Sequence, residues 1–185
     1  VVGIDTFVHV ANNVYEKVEG KEKEIFKVPD FIHKLVAKGW LGSKSGQGFY
    51  LKQGKEILEL NPNTLEYEQR TKMKADSYVS AQQVKGTANK MKTLIYADDR
   101  AGHLLWNIIA PVLIYSADLV NVIADDIVAI DQAMKWGFGW SFGPFETWDA
   151  IGLEQSVQKM EEEGLQVPQW IKDMITAGFT SFYKE

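Results

Sequence analysis

The sequence predicts a mainly α-helical protein, built as a tandem repeat and carrying one small β-hairpin. Three observations predict this. Apolar residues recur at three- and four-residue spacing through most of the chain, the period of an amphipathic helix. Only the stretch around Gln53-Gly54 alternates like paired strands. Residue patterns near the N-terminus return near the C-terminus.

Taken in order, Ile4, Phe7, Ala11, Val14, Tyr15 and Val18 predict a helix over 4–18. Residues 19–24 are a charged loop. Pro29 opens a second helix, with Phe31, Ile32, Leu35 and Val36 on its apolar face and Gly39 at its end. A Gly-rich segment, 39–48, leads to the hairpin of Phe49–Leu51 and Ile57–Leu60. Residues 61–77 are polar, hold Asn61-Pro62-Asn63 and read as a linker. From about residue 78 the chain is helical again. Asp98 or Asp99 caps a long helix to about Ile123, apolar almost all round from Leu104 to Ile114 and so expected to be central. Pro111 predicts a kink in it. Asp125 or Asp126 starts a helix through Trp136. Gly137–Phe145 alternates glycines and aromatics, and two helices follow, 146–163 and 168–177.

The repeat sets Val2-Gly3-Ile4-Asp5 against Ile151-Gly152-Leu153-Glu154, and Lys27-Val28-Pro29-Asp30-Phe31-Ile32 against Gln166-Val167-Pro168-Gln169-Trp170-Ile171. Leu35-Val36 matches Met174-Ile175, Gly39-Trp40 matches Gly178-Phe179, and Phe49-Tyr50 matches Phe182-Tyr183. About fifty residues of helix and loop precede Gly152 in the second copy. The first copy is therefore expected to lack its front half, and the full-length protein to carry something like Gly-Pro-Phe and an Asp shortly before Val1. The domain expectation is a truncated first copy over 1–60, a linker over 61–77 and a second copy over 78–185.

Composition narrows the function classes. The 185 residues are 45% hydrophobic and 24% charged, with six Trp, seven Tyr and nine Phe, ordinary for a globular chain with ample core. A net charge of −5 argues against nucleic acid as the main partner. Arg70, Lys72, Lys74, Lys85, Lys90 and Lys92 read as a solvated face. With no Cys, disulfides, thiolate metal sites and a Cys nucleophile are excluded. No apolar run reaches the roughly 18 residues of a membrane span, and no signal peptide is visible. The chain is expected to be cytoplasmic, and to begin inside a larger protein or after processing.

Two motifs carry a family resemblance. Gly39-Trp40-Leu41-Gly42-Ser43-Lys44-Ser45-Gly46-Gln47-Gly48-Phe49-Tyr50 resembles the G-x-x-G-x-K-x-G-x-G-F-Y signature of the C-terminal domain of 3-hydroxyacyl-CoA dehydrogenases. Asp125-Asp126 through Asp131 and Gly137-Phe138-Gly139-Trp140, with Gly143-Pro144-Phe145-Glu146 and Asp149, resembles a second motif of that domain. Two such domains in tandem look like the long dehydrogenases fused to an enoyl-CoA hydratase.

The resemblance implies NAD-dependent oxidation of a 3-hydroxyacyl-CoA in the full protein, in fatty-acid β-oxidation. NAD would be held by a Rossmann domain outside this chain. It implies Rossmann and enoyl-CoA hydratase domains as partners within the same protein and acyl-CoA as substrate. A homo-oligomer is expected because the apolar faces of the first two helices, with Phe7, Ala11 and Val14 and with Phe31, Ile32 and Leu35, are left partly without the long helix that covers them in a complete copy. No G-x-G-x-x-G stands between a strand and a helix here. No catalytic, cofactor or metal residue is assigned, and His9, His33 and His103 match no family motif. The family's helical domain gives chemistry an Asn, and alignment on Ala110-Pro111 puts Trp106 at that position and Asn107 beside it. Trp cannot replace an amide that both donates and accepts, so the second copy resembles a structural duplicate. Lys44 and Gly46 are the candidate substrate-binding residues. Either Lys44 and the loop amides face a CoA phosphate, or the glycines permit a tight reversal and Lys44 bonds helix carbonyls. Asp126 and Asp131 read as cap and turn residues. The expected role is to shape the acyl-CoA cleft and the domain or dimer interface while inactive alone. The alternative is an assembly module without substrate contact.

Overall fold

A computed structural model describes residues 2–71 and 75–184. The chain forms two compact units, Val1–Met73 and Lys74–Glu185.

In the first unit, α1 (Ile4–Lys17) and α2 (Asp30–Ala37) pack through Ile4, Val8 and Ala11 on one helix and Ile32 and Leu35 on the other, with Val28 and Trp40 closing the cluster. Burying an Ile, Leu or Val side chain stabilises by about 1.5–3 kcal/mol. The buried face of α1 is not quite the expected one: Ala11 points inward, whereas Phe7 is exposed. Pro29 lies just outside α2 as its N-cap residue. At the other end Gly39, φ 73°, sends its N–H to Val36 and lets Trp40 bond Leu35. A 3-10 turn replaces the expected charged loop over Lys21–Phe26.

The hairpin is larger than expected. β1 (Tyr50–Gln53) pairs with β2 (Glu56–Leu60) across a turn at Gly54, φ 62°. β2 then pairs with β3 (Tyr67–Gln69), with Leu60 opposite Tyr67. Thus residues 61–77 are not simply a linker. Asn61 Oδ1 accepts the Asn63 N–H at 3.0 Å and its amide donates to Glu68, so the Asn-Pro-Asn signal marks a turn inside the sheet. The same stretch ends in the start of α3, and its Lys72–Lys74 lie outside the described residues, as do Lys72 and Lys74 of the basic set. The remaining basic residues are exposed and divided between the two units.

The second unit contains α3 (Asp76–Gln83), α4 (Thr87–Ile95), α5 (Arg100–Asp118), α6 (Ile127–Phe138), α7 (Pro144–Ile151), α8 (Leu153–Glu162) and α9 (Gln169–Thr176). Asp99 caps α5 and Asp126 caps α6, each accepting a backbone N–H three residues on. α5 carries Pro111 within it and stops at Asp118, short of Ile123, because Asn121 takes a left-handed φ of 64°. It is not buried all round. Trp106, Ala110, Leu113 and Ala117 face the core, while Leu104, Ile108 and Tyr115 are exposed. The helix expected over 146–163 is two helices. Gly152, φ 94°, separates α7 from α8 and donates its N–H to the carbonyls of Trp148 and Asp149. Phe145, Trp148, Ile151, Leu153, Met160 and Ile171 form the centre of this core.

The repeat is visible in geometry. α2 and α9 each span eight residues behind an extended N-cap Pro. Ile32 bonds Pro29 as Ile171 bonds Pro168, and Trp40 bonds Leu35 as Phe179 bonds Met174. Phe31 meets Phe49 edge-on at 6.4 Å, and Trp170 meets Phe182 edge-on at 6.1 Å.

Candidate functional site

The Gly-rich loop follows α2. Gly42 and Gly46 adopt φ 104° and 80°, conformations that suit residues without a Cβ, on either side of the short 3-10 turn Ser43–Ser45. Ser45 Oγ accepts the Leu41 N–H at 2.8 Å, Gly42 donates to the Gln47 carbonyl at 2.8 Å, and Tyr67 donates its hydroxyl proton to the Gly48 carbonyl at 2.7 Å. A Cβ on Gly48 would lie 2.8 Å from Gly42 Cα, so the two backbones touch because Gly48 has no side chain. The reversal reading of the loop thus has a geometric basis.

Among the described residues Lys44 bonds no helix carbonyl. Its Nζ sits 2.6 Å from Oδ2 of Asp5, in the first turn of α1, with both side chains partly exposed. The Lys44 hydrogen bond holds the Asp5 carboxyl below the usual range, against burial. A carboxylate in a helix's first turn is also favoured by the aligned peptide dipoles. Gly46 lines an apolar cleft of about 1040 Å³ within the first unit, walled by Ile4, Phe7, Val10, Ile32 and Phe49. The two candidate substrate residues therefore differ in placement: Gly46 is on the cleft, and Lys44 is engaged with Asp5.

In the second unit the polar organisation centres on Asp131, which is 2% exposed. Its carboxylate accepts the N–H of Phe145 at 2.8 Å and of Glu146 at 3.0 Å, two amides of the first turn of α7, and the Tyr183 hydroxyl at 2.8 Å. Those amides have no partner within their own helix. Gly143 is required beside it, since a Cβ there would collide with the Asp131 side chain. Asp149 repeats the device, taking the N–H of Phe182 at 2.8 Å and of Tyr183 at 3.0 Å. Burial pushes the carboxyls of both Asp131 and Asp149 up, with their hydrogen bonds offsetting part of the rise. Burial also raises Glu146, but Lys135 at 2.7 Å and the Gly143 N–H lower it further, leaving it below the usual range. Asp126 is a cap, as expected. Asp131 serves neighbouring segments rather than its own helix.

Trp106 is 3% exposed. Its indole N–H donates to Glu163, and Lys159 lies 5.0 Å above the ring centre. Asn107 is exposed. The position aligned with the family's Asn thus holds a packed aromatic. His9 bonds Asn13, His103 bonds Asp98, and His33 is exposed. Among the described residues no group of three or more His, Asp or Glu is arranged to hold a metal ion, and no helix is long and apolar enough to cross a membrane.

Only part of this was accessible to sequence reasoning. Asp131 stood out as part of a motif, but its partners lie 14, 15 and 52 residues away. The Asp5–Lys44 pair spans 39 residues and has no local signature.

The family described as 3-hydroxyacyl-CoA dehydrogenase, C-terminal domain, matches residues 102–181. A Bacillus subtilis (strain 168) protein named as a 3-hydroxyacyl-CoA dehydrogenase is 61% identical over 183 residues, 99% of this chain and 23% of that protein. A Rickettsia felis (strain ATCC VR-1525 / URRWXCal2) protein named as a fatty acid oxidation complex trifunctional enzyme is 34% identical over 140 residues, 74% of this chain and 17% of that protein. One from Rickettsia prowazekii (strain Madrid E), named likewise, is 31% identical over 61% of this chain and 15% of that protein. The chain spans less than a quarter of the length of each of these relatives. No solved structure matches it. Residues 102–181, whose Gly-Pro-Phe turn is seated on Asp131, form a domain of the 3-hydroxyacyl-CoA dehydrogenase C-terminal domain family.

Proposed function

We propose that this chain is part of a cytoplasmic, NAD-dependent 3-hydroxyacyl-CoA dehydrogenase of fatty-acid β-oxidation. In the full protein it shapes the acyl-CoA cleft and a domain or subunit interface, beside Rossmann and enoyl-CoA hydratase domains. Alone it is inactive. The observation carrying this reading is the 61% identity maintained over 99% of the chain with a protein named for that activity. Hydride transfer needs a nucleotide loop and an oriented general base, and the sequence offers neither motif. The packed Trp106 supports a structural role for the second copy. Gly46 and the exposed turn Ser43–Ser45 form the rim offered to substrate. Lys44 reaches an anion there by sharing or leaving Asp5.

That same ion pair favours a second reading, an assembly module with no substrate contact, because the one loop cation is already paired with a carboxylate. Calorimetric titration of the purified chain with acetoacetyl-CoA, and with NAD, separates the two. Heat with acetoacetyl-CoA that weakens in Lys44→Ala supports the first reading. No heat supports the second. NADH production from 3-hydroxybutyryl-CoA by the chain alone, with host enzyme excluded, overturns the proposed inactivity.

A further inference from the structure

The two units share a repeat, yet their equivalent faces have different environments. Matching Gly3-Ile4 to Gly152-Leu153 sets Phe7 against Ser156 and Val10 against Lys159. In the second unit this face is covered. Ser156 is fully buried and its hydroxyl accepts the indole N–H of Trp148 on α7 at 2.7 Å. Lys159 lies over Trp106 on α5. Phe182 packs on Phe145 at 5.0 Å and on Trp148 at 5.5 Å, both on α7. In the first unit the counterparts are open. Phe7 is 51% exposed, Val10 55% and Phe49, the counterpart of Phe182, 43%. They wall the 1040 Å³ cleft.

We infer that this cleft is a packing seat. In the full-length protein it takes a segment lying immediately before Val1, with a helix equivalent to α7 and a longer one equivalent to α5. The matched Phe31–Phe49 and Trp170–Phe182 pairs show the seat already in the shape that receives α7 in the second unit. The register is specific. Asp149 aligns with the residue directly ahead of Val1, and an Asp there receives the N–H groups of Phe49 and Tyr50 as Asp149 receives those of Phe182 and Tyr183. An aromatic one residue earlier, the counterpart of Trp148, meets Phe7 and Phe49. The occupant is polypeptide, so any acyl-CoA contact falls to the outer rim at Ser43–Gly46.

This inference rests on the tandem-repeat reading and uses no property of the dehydrogenase reaction, so its test involves neither NAD nor acyl-CoA. Amide hydrogen exchange at Phe49 and Tyr50 is compared between the 185-residue chain and the full-length protein. Exchange at least about tenfold slower in the full-length protein is expected, as for amides that gain a buried acceptor. Phe7→Asp is the second measurement. It should leave the melting temperature of the 185-residue chain nearly unchanged and lower that of the full-length protein, where the charge would be buried. Equal exchange rates in the two proteins overturn the inference. So does a full-length Phe7→Asp protein that melts unchanged, or one that merely changes from dimer to monomer, which would make a second copy the occupant.

Discussion

The Tyr183 hydroxyl donates to Oδ2 of Asp131 at 2.8 Å across 52 residues of chain. The same carboxylate holds the first turn of α7 through Phe145 and Glu146. One buried side chain thus joins α6, α7 and the C-terminal segment. Removing it leaves two backbone donors and a hydroxyl without partners, each a cost of about 1–3 kcal/mol when buried. Asp131→Ala should destabilise the chain by more than about 2 kcal/mol, whereas Tyr183→Phe should cost only about 1 kcal/mol. Urea unfolding of the three proteins measures both, and equal losses would show that the Tyr183 bond, not the amide bonds, carries the effect.

Asp149 gives a pH signature. Its folded-state carboxyl is raised above the ordinary value by burial. A raised acid binds its proton more tightly folded than unfolded, so its stability contribution is present at low pH and lost as pH rises through the folded value. Asp149→Asn abolishes that titration. The stability of the parent chain minus that of Asp149→Asn should therefore shrink as pH rises from about 4, the ordinary Asp value, towards neutrality. A difference that grows over this window would mean the folded carboxylate is favoured as an anion.

Trp106 tests the structural reading of the second copy. Buried against Tyr96 at 6.0 Å and bonded to Glu163, it should cost roughly 3–5 kcal/mol when replaced by Ala, as large aromatic truncations do. In the full-length protein, taken as the dehydrogenase proposed above, single-turnover measurement at a temperature where the variant stays folded should find the chemical step nearly unchanged. A large drop in that rate with stability intact would assign Trp106 to the reaction.

Two glycines should respond for different reasons. At Gly143 the backbone is ordinary, φ −72°, and the obstacle is the Asp131 side chain, so Gly143→Ala should cost about 1–3 kcal/mol by overpacking. At Gly152 the obstacle is φ 94°, and Gly152→Ala should cost roughly 1–2 kcal/mol in backbone strain. Gly152→Asn should recover little of that loss, because at ψ 114° Gly152 lies outside the left-handed helical well that Asn tolerates, and Gly143→Asn should cost more than Gly143→Ala, because a larger side chain meets Asp131. Thermal unfolding of the four variants checks the pattern.

The sequence alone determined what depends on neighbours along the chain. Helical periodicity, the Pro and Gly boundaries of α2 and α9, an Asp cap at 98 or 99 and another at 125 or 126, and the matched Gly3-Ile4 and Gly152-Leu153 and doubled Val-Pro patterns all act within a few residues. They were therefore readable in order. Even so, Gly152 and Asn121 changed the outcome, since an apolar period continues across them while their positive φ does not. β3 escaped notice because a three-residue strand carries too little alternation to register. It exists because Leu60 and Tyr67 find each other across the Asn61 turn. Only tertiary structure decided the rest. The buried Asp131 meets its donors because α7 is packed on α6, and Lys44 meets Asp5 because the loop after α2 returns to the start of α1. Exposure of Phe7 beside burial of its counterpart Ser156 depends on which helices cover each face. Pair energies of this kind depend on distances in space, which a one-dimensional period does not encode.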